Sequence, residues 1–307
     1  MDLITLKNKY FSGKLTKATY IQKMHTLHRH LFNYARFIKP TDIAEIQITT
    51  NSIIMTTKDN KIKLLIDIYD KRIIPIEILN FNNYEKEYLD MMLKLIRPKA
   101  TIFDIGANIG WYTINFAKIL KGGHVYSFEP IPTSFSYLRK NLALNNITNA
   151  RIFNYGLYNE EKILTFYYYP EGLGNASSKC LNSTYSSKRM NCRVRKMDDF
   201  TREAKITVDF IKCDVEGAEL FVFQGGTNTI KRDKPVIFTE LLRKWSAKYN
   251  YRPNDIITLL NGMGYLCFTI SHSKLKQFFA MDDKTTDTNF FFLHSGKHSK
   301  AIKRLVV

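Results

Sequence analysis

From residue 100 to residue 294 the chain alternates short apolar runs with stretches of helical periodicity, and this alternation limits the fold more than any other feature. The runs are "TIFDI", "HVYSFE", "ARIFN", "VDFIKCD", "PVIFTE", "GYLCFTI" and "NFFFLH". They are rich in β-branched and aromatic residues and nearly continuous in apolar character, as strands buried on both faces must be. Helical patterns lie between most of them, around residues 110–120, 132–145, 216–231 and 253–263. Repeated strand–helix units of this kind predict an α/β fold, a mostly parallel sheet covered by helices on both sides.

Between about residues 156 and 197 the alternation breaks. "KILTFYYYP" and "NCRVRKM" flank the Gly/Ser-rich "EGLGNASSKC", which predicts a hairpin-like β-insertion. Tyr167–Tyr169 in it suit stacking on a sugar or base, or simply packing within the insertion. Its basic stretch "KRMNCRVRK" suits an anionic acceptor or a solvated strand face.

Upstream, residues 1–39 carry Lys7, Lys9, Lys14, Lys17, Lys23, Arg29, Arg36 and Lys39 against one acid, Asp2. Leu27, Leu31, Tyr34 and Ile38 recur at helical spacing, giving a basic amphipathic arm that stops at Pro40. It is expected to pack on the following domain with its basic face in water; contact with a membrane surface or RNA is the alternative. "EIQIT", "SIIMTT" and "IKLLIDI" then read as a small β-meander. "NNYEKEYLDMMLKLI" reads as a helix capped by Asn82, with Glu85 completing a capping box. The resulting boundaries are an arm and meander (1–76), a main domain (77–296) and a basic tail (297–307), expected to fray.

The net charge of +18 raises the question of a polyanionic partner. The Lys residues are spread along the chain among many Asn and Ile, so charge alone assigns none. Cys180, Cys192, Cys213 and Cys267 form no CxxC pair and no metal-ligand spacing, which points to reduced thiols, no metal site and a cytoplasmic protein. No apolar run approaches the roughly 18–20 residues that span a bilayer.

The first strand–helix junction carries the chemistry. "DIGANIGWYT" places Asp104 at the end of a strand, followed by Gly106, Asn108 and Gly110 before a helix. In doubly wound sheets ligands sit beyond the carboxyl ends of the strands at such a turn. The glycines allow a tight turn and close approach of a ligand, and Asn108 tolerates unusual backbone angles. A carboxylate here would repel a pyrophosphate and suits a ligand with cationic character; a helix N-cap is the plainer reading. Twenty-five residues on, Glu129 ends the second strand, where an acid can bind ribose hydroxyls. S-adenosylmethionine, a phosphate-free nucleoside bearing an amino acid and a sulfonium, satisfies both.

"DIGANIGWYT", "FEPIPTSFSYLRKNLALNN" and "IKCDVEGAEL" followed by "FTE" resemble the FkbM family of S-adenosylmethionine-dependent methyltransferases, over roughly residues 77–241. The resemblance implies a Rossmann-like class I methyltransferase sheet whose last strand is antiparallel, and O-methylation of a sugar or other small acceptor. It implies a cofactor site lined by Asp104, Gly106, Asn108 and Glu129, with Glu85, Ala107, Gly110, Pro130 and Asn154 beside them. Asp214, Glu216 and Glu240 would lie near the acceptor as catalytic groups.

Asp214 ends one strand and Glu240 its neighbour, while Glu216 and Glu219 stand at the start of the following helix, where the helix dipole also favours acids. A hydroxyl acceptor must lose a proton, and clustered carboxylates raise one another's pKa toward neutrality. Direct base catalysis by Asp214 or Glu216 is the favoured route, with Mg²⁺ held by these oxygens as the alternative. An RNA or DNA methyltransferase is the competing function, supported by the basic charge and opposed by the acids where a polyanion would approach. A non-catalytic module and a dehydrogenase fit less well, the latter because Asn108 occupies the third position of its glycine-rich turn.

Overall fold

The computed structural model describes residues 2–169, 177–179 and 187–307. Two helices, α1 (Leu3–Phe11) and α2 (Lys17–Phe37), precede an antiparallel meander of β1 (Ile43–Ile48), β2 (Ile53–Thr57) and β3 (Lys63–Leu65). Helices α3 (Ile74–Phe81) and α4 (Lys86–Leu95) lead into the main domain. There β4 (Thr101–Ile105), α5 (Trp111–Ile119), β5 (His124–Phe128), α6 (Pro132–Leu144) and β6 (Ala150–Phe153) form the first half. An insertion of β7 (Gly156–Leu157), β8 (Lys162–Tyr168) and β9 (Lys188–Arg195) follows, then α7 (Met197–Ala204). The second half comprises β10 (Phe210–Cys213), α8 (Glu219–Gln224), α9 (Thr227–Asp233), β11 (Val236–Glu240), α10 (Arg243–Ser246) and α11 (Pro253–Asn261). Strands β12 (Tyr265–Ser271), β13 (Lys274–Phe278) and β14 (Asn289–His294) and helix α12 (Ser299–Leu305) complete it.

The central sheet has the order β13-β12-β14-β11-β10-β4-β5-β6. Strands β6, β5, β4, β10 and β11 are mutually parallel, and β14 runs against both β11 and β12. This is the expected α/β, Rossmann-like sheet with its late antiparallel strand; β13 adds an edge strand that the sequence did not announce. The chain starts at β4, winds out to β6, and returns to β10 on the other side of β4. The switch point therefore lies at the carboxyl ends of β4 and β10.

Each strand feeds two cores, which explains its continuous apolar character. Ile102, Phe210, Phe238 and Phe291 belong to the cluster on one face; Phe103, Ile211, Ile237 and Phe290 belong to the other. The predicted hairpin also exists: β8 pairs antiparallel with β9, and β7 joins β9 in parallel. Most of "EGLGNASSKC", including Cys180, lies outside the described residues.

Four expectations need correction. Asn82 ends α3, and Glu85 itself precedes α4 at φ +46° without a side-chain cap, so no capping box forms. The helical pattern at 216–231 is two helices, broken where Gly225 and Gly226 pass under Tyr158 and Met197 too closely for a side chain. The tail does not fray: α12 packs Ile302 and Leu305 on the core, and Val307 N–H donates to the Leu275 carbonyl. Finally, α2 buries none of its residues, so the arm is not packed on the domain along its length. No helix among the described residues is long and apolar enough to cross a membrane.

Candidate functional site

The register of the parallel strands sets the floor of the site. Ser127 of β5, Asp104 of β4 and Lys212 of β10 are cross-strand neighbours, and they share one face of the sheet. Thr113 of α5 reaches down to the same point, its hydroxyl 2.6 Å from Asp104 Oδ2 and 2.8 Å from Ser127 Oγ. Lys212 Nζ lies 3.6 Å from Asp104 Oδ1 and 3.6 Å from Asp214 Oδ2, and donates to the Gly106 carbonyl at 2.8 Å. Burial raises the Asp104 pKa, while Lys212 and Thr113 pull it back. Burial works against the Lys212 charge too, yet Asp214 and Asp104 hold its pKa above the usual lysine value. The cation that Asp104 was expected to await is therefore supplied, in the first instance, by the chain itself.

The loop after β4 is clamped in the same way. Gly106 (φ +76°) and Gly110 (φ +93°) adopt left-handed angles, but the space a Cβ would fill is taken by protein. At Gly106 it is the Asp214 carbonyl, 1.8 Å from that Cβ position, and at Gly110 the Leu138 side chain, at 2.6 Å. In the direction of a Cβ, the two glycines thus serve the turn and the strand crossing. Ala107 N–H donates to the Phe128 carbonyl. Glu129 accepts from the backbone N–H of Asn108 (2.8 Å) and of Ile131 (2.9 Å), and burial pushes its pKa up to about 7 against those bonds. Each carboxylate oxygen keeps a second lone pair. Asn154 ties the loop after β5, donating to the carbonyls of Glu129 (2.9 Å) and Pro130 (3.1 Å).

Above the switch point the acids gather. Burial and then Asp214 raise the pKa of both Glu216 and Glu240; Glu219 adds to both, and Glu216 adds to the effect on Glu240, which reaches about 10. Burial raises the Tyr84 phenol, followed by Glu85, Asp214, Glu240 and Glu216, so the field of all four acids reaches this one residue. Glu85 is held there by a hydrogen bond from Tyr112 Oη. Asp214 is the more open member, its side chain 34% exposed. Glu216 sits in a left-handed turn (φ +55°) ahead of α8 rather than in the helix. Glu219 is a structural clamp, accepting from Val215 N–H (3.0 Å), Gly217 N–H (3.1 Å) and Tyr251 Oη (3.1 Å). Among the described residues no three His, Cys, Asp or Glu side chains are arranged to hold a metal ion.

A model of the methyltransferase FkbM domain matches residues 104–267, more than half of the chain. The chain belongs to the FkbM methyltransferase family. It is 30% identical to "Methyltransferase 1" of Beauveria bassiana (strain ARSEF 2860) over 142 residues, 40% of this chain and 57% of that one. It is 25% identical to "2-O-methyltransferase NoeI" of Sinorhizobium fredii (strain NBRC 101917 / NGR234) over 170 residues, 50% of this chain and 68% of that one. The crystal structure of methyltransferase FkbM from Methylobacillus flagellatus KT aligns with 65% of this chain and 45% of its own, at 19% identity and a TM-score of 0.42. The chain thus spans little more than half the length of the first of these relatives.

This FkbM site brings Glu85, Asp214, Glu216 and Glu240 within one another's electrostatic reach and that of Tyr84, with Asp104 paired to Lys212. Glu129, Pro130 and Asn154 lie to the other side of the Asn108 turn. Asn108 Oδ1 and Glu216 Oε2 are buried without a partner, two acceptors that a ligand bearing N–H or O–H groups can satisfy. Sequence reasoning missed Lys212, Thr113, Tyr84 and Tyr112. Lys212 alone carried a signal: a lysine in the middle of an otherwise buried strand needs partners.

Proposed function

We propose that the protein transfers a methyl group from S-adenosylmethionine to a hydroxyl of a sugar or another small acceptor. The observation that carries this reading is the charge at the switch point. Glu85, Asp104 and Asp214 lie around the buried Lys212, so carboxylates outnumber the cation they surround. Such a crevice favours a cationic, phosphate-free ligand and opposes a dinucleotide.

When bound, S-adenosylmethionine supplies a methyl group on a sulfonium, already activated for in-line displacement. The chain's part is to bind and to move a proton. Glu129 offers its free lone pairs to ribose hydroxyls from a loop fixed by Asn108, Ile131 and Asn154. Asp214, the open carboxylate, stands where an acceptor hydroxyl would enter. Burial and Asp214 push Glu240 up to about 10 and Glu216 well above the ordinary carboxyl range, so both keep their protons near neutral pH. Asp214 is the member of the cluster that takes up the proton the hydroxyl loses. The 2-O-methyltransferase named among the relatives supports an oxygen acceptor. RNA as acceptor is opposed by the same acids, since a phosphate backbone would have to pass them.

Methyl release from labelled S-adenosylmethionine against sugars, small alcohols and RNA tests the reading. Asp214→Asn is expected to lower kcat by about 10²–10⁴ while calorimetric cofactor binding persists. Failure of the unmodified protein to bind the cofactor, or transfer to RNA alone, would overturn it.

A further inference from the structure

The helical arm presents a surface that the rest of the described chain does not cover. Its base is fixed. Lys58 Nζ donates to the carbonyls of Lys39 (2.6 Å) and Thr41 (2.5 Å) at the end of α2, and Ile38 packs against the core. The first half of α2 leans on α1, with Tyr10 stacked on Tyr20 at 4.5 Å between centroids. Beyond that contact Leu31, Phe32, Tyr34 and Phe37 are exposed, as are Ile21 and, on α1, Phe11; Phe32 is 67% exposed and Phe11 73%.

Most of those on α2 share one face. At about 100° per residue, Met24, Leu27, Leu31 and Tyr34 form one stripe with Ile21 and Phe32 on its shoulder. Arg29 and Arg36 border that stripe on one side and Lys23 on the other. Long basic side chains flanking an apolar stripe can reach headgroups while the stripe enters the acyl boundary.

We propose that this arm seats the protein on a bilayer surface carrying anionic lipids. Helix α2 has 21 residues, about 30 Å at about 1.5 Å per residue, which is long enough to span. Lys17, Lys23, Arg29 and Arg36 forbid that course, so the helix lies in the interface plane. The arm holds eight Lys and Arg against Asp2, and anionic headgroups attract each of them. A second copy of the chain would bring the same charges against these, so self-pairing of the stripes is repulsive. RNA would neutralise the bases but leave Leu31, Phe32 and Phe37 in water.

The test is co-sedimentation of the 307-residue chain with phosphatidylcholine vesicles, with and without phosphatidylglycerol, at about 0.15 M salt. The protein is expected to pellet with the phosphatidylglycerol vesicles and to remain in solution with phosphatidylcholine alone. Leu31→Asp combined with Phe32→Asp should weaken that binding about tenfold or more, and both side chains are exposed, so the fold, checked by circular dichroism, should not change. Three outcomes overturn the proposal: no binding to anionic vesicles, binding indifferent to the double substitution, or a stable dimer or RNA complex that the same substitution dissolves.

Discussion

Lys212 and Asp104 face each other across two adjacent parallel strands, Nζ to Oδ1 at 3.6 Å, and neither side chain has appreciable contact with water. The same ammonium faces Asp214 at 3.6 Å and holds the Gly106 carbonyl, so one buried cation joins the floor, the turn and the acid cluster. Removing one partner of such a pair leaves an uncompensated buried charge, which typically costs about 3–5 kcal/mol. Lys212→Met is expected to lose that much stability in urea unfolding, and adding Asp104→Asn should restore part of it. A single variant as stable as the parent would mean that the pair holds nothing.

The sheet was legible because every strand feeds two apolar clusters, which leaves a nearly unbroken apolar run in the sequence. The strand-end acids were legible for a related reason: a carboxylate that closes an apolar run stands out. Their partners were not. Lys212 meets Asp104 through strand register, and Glu129 meets Asn108 through a turn whose closure depends on Leu138 and Asp214, so no local spacing announces either contact. The tail was misread from its charge, although Ala301, Ile302, Leu305 and Val306 recur at helical spacing and pack on the core. Helix α3 escaped notice because "IPIEILNF" is short and apolar on most sides.

Gly106 separates steric need from backbone freedom. A Cβ there would lie 1.8 Å from the Asp214 carbonyl oxygen, and backbone cannot swing aside as a side chain can. Gly122 has a similar angle, φ +88°, with nothing within 4 Å of its Cβ position. Gly122→Ala should therefore cost about 1–2 kcal/mol, the price of a left-handed angle alone. Gly106→Ala should exceed it by several-fold and abolish cofactor binding, since β4 and β10 would have to part. Equal midpoints for the two variants in thermal unfolding would remove the close crossing as the reason for the glycine.

The folded tail has its own consequence. Helix α12 covers Leu275, which is fully buried, and partly buries Ile302, Leu305 and Val306. Deleting residues 299–307 should expose this patch and destabilise the domain by about 2–4 kcal/mol, from the apolar area returned to water. A differential scanning profile unchanged by the deletion would show that the tail is only resting there.

Glu129 and Glu219 give the protein an unusual response to pH. Burial pushes both to about 7 from an ordinary 4.5, even though each accepts two backbone N–H bonds. Between those values the folded chain binds more protons than the unfolded one, so stability falls as pH rises through the window and the loss is complete above about 7. A shift of this size corresponds to about 3 kcal/mol for each group. Glu219→Gln can keep the local bonds: its amide oxygen accepts from Val215 and Gly217, and its NH₂ donates to Tyr251 Oη, which retains the Gly217 carbonyl. The variant should match the parent near pH 5 and exceed it near pH 8 by up to about 3 kcal/mol in thermal unfolding. If the difference does not change with pH, the charge on Glu219 is not what the fold resists, and its bonds to Val215 and Gly217 must outweigh its burial.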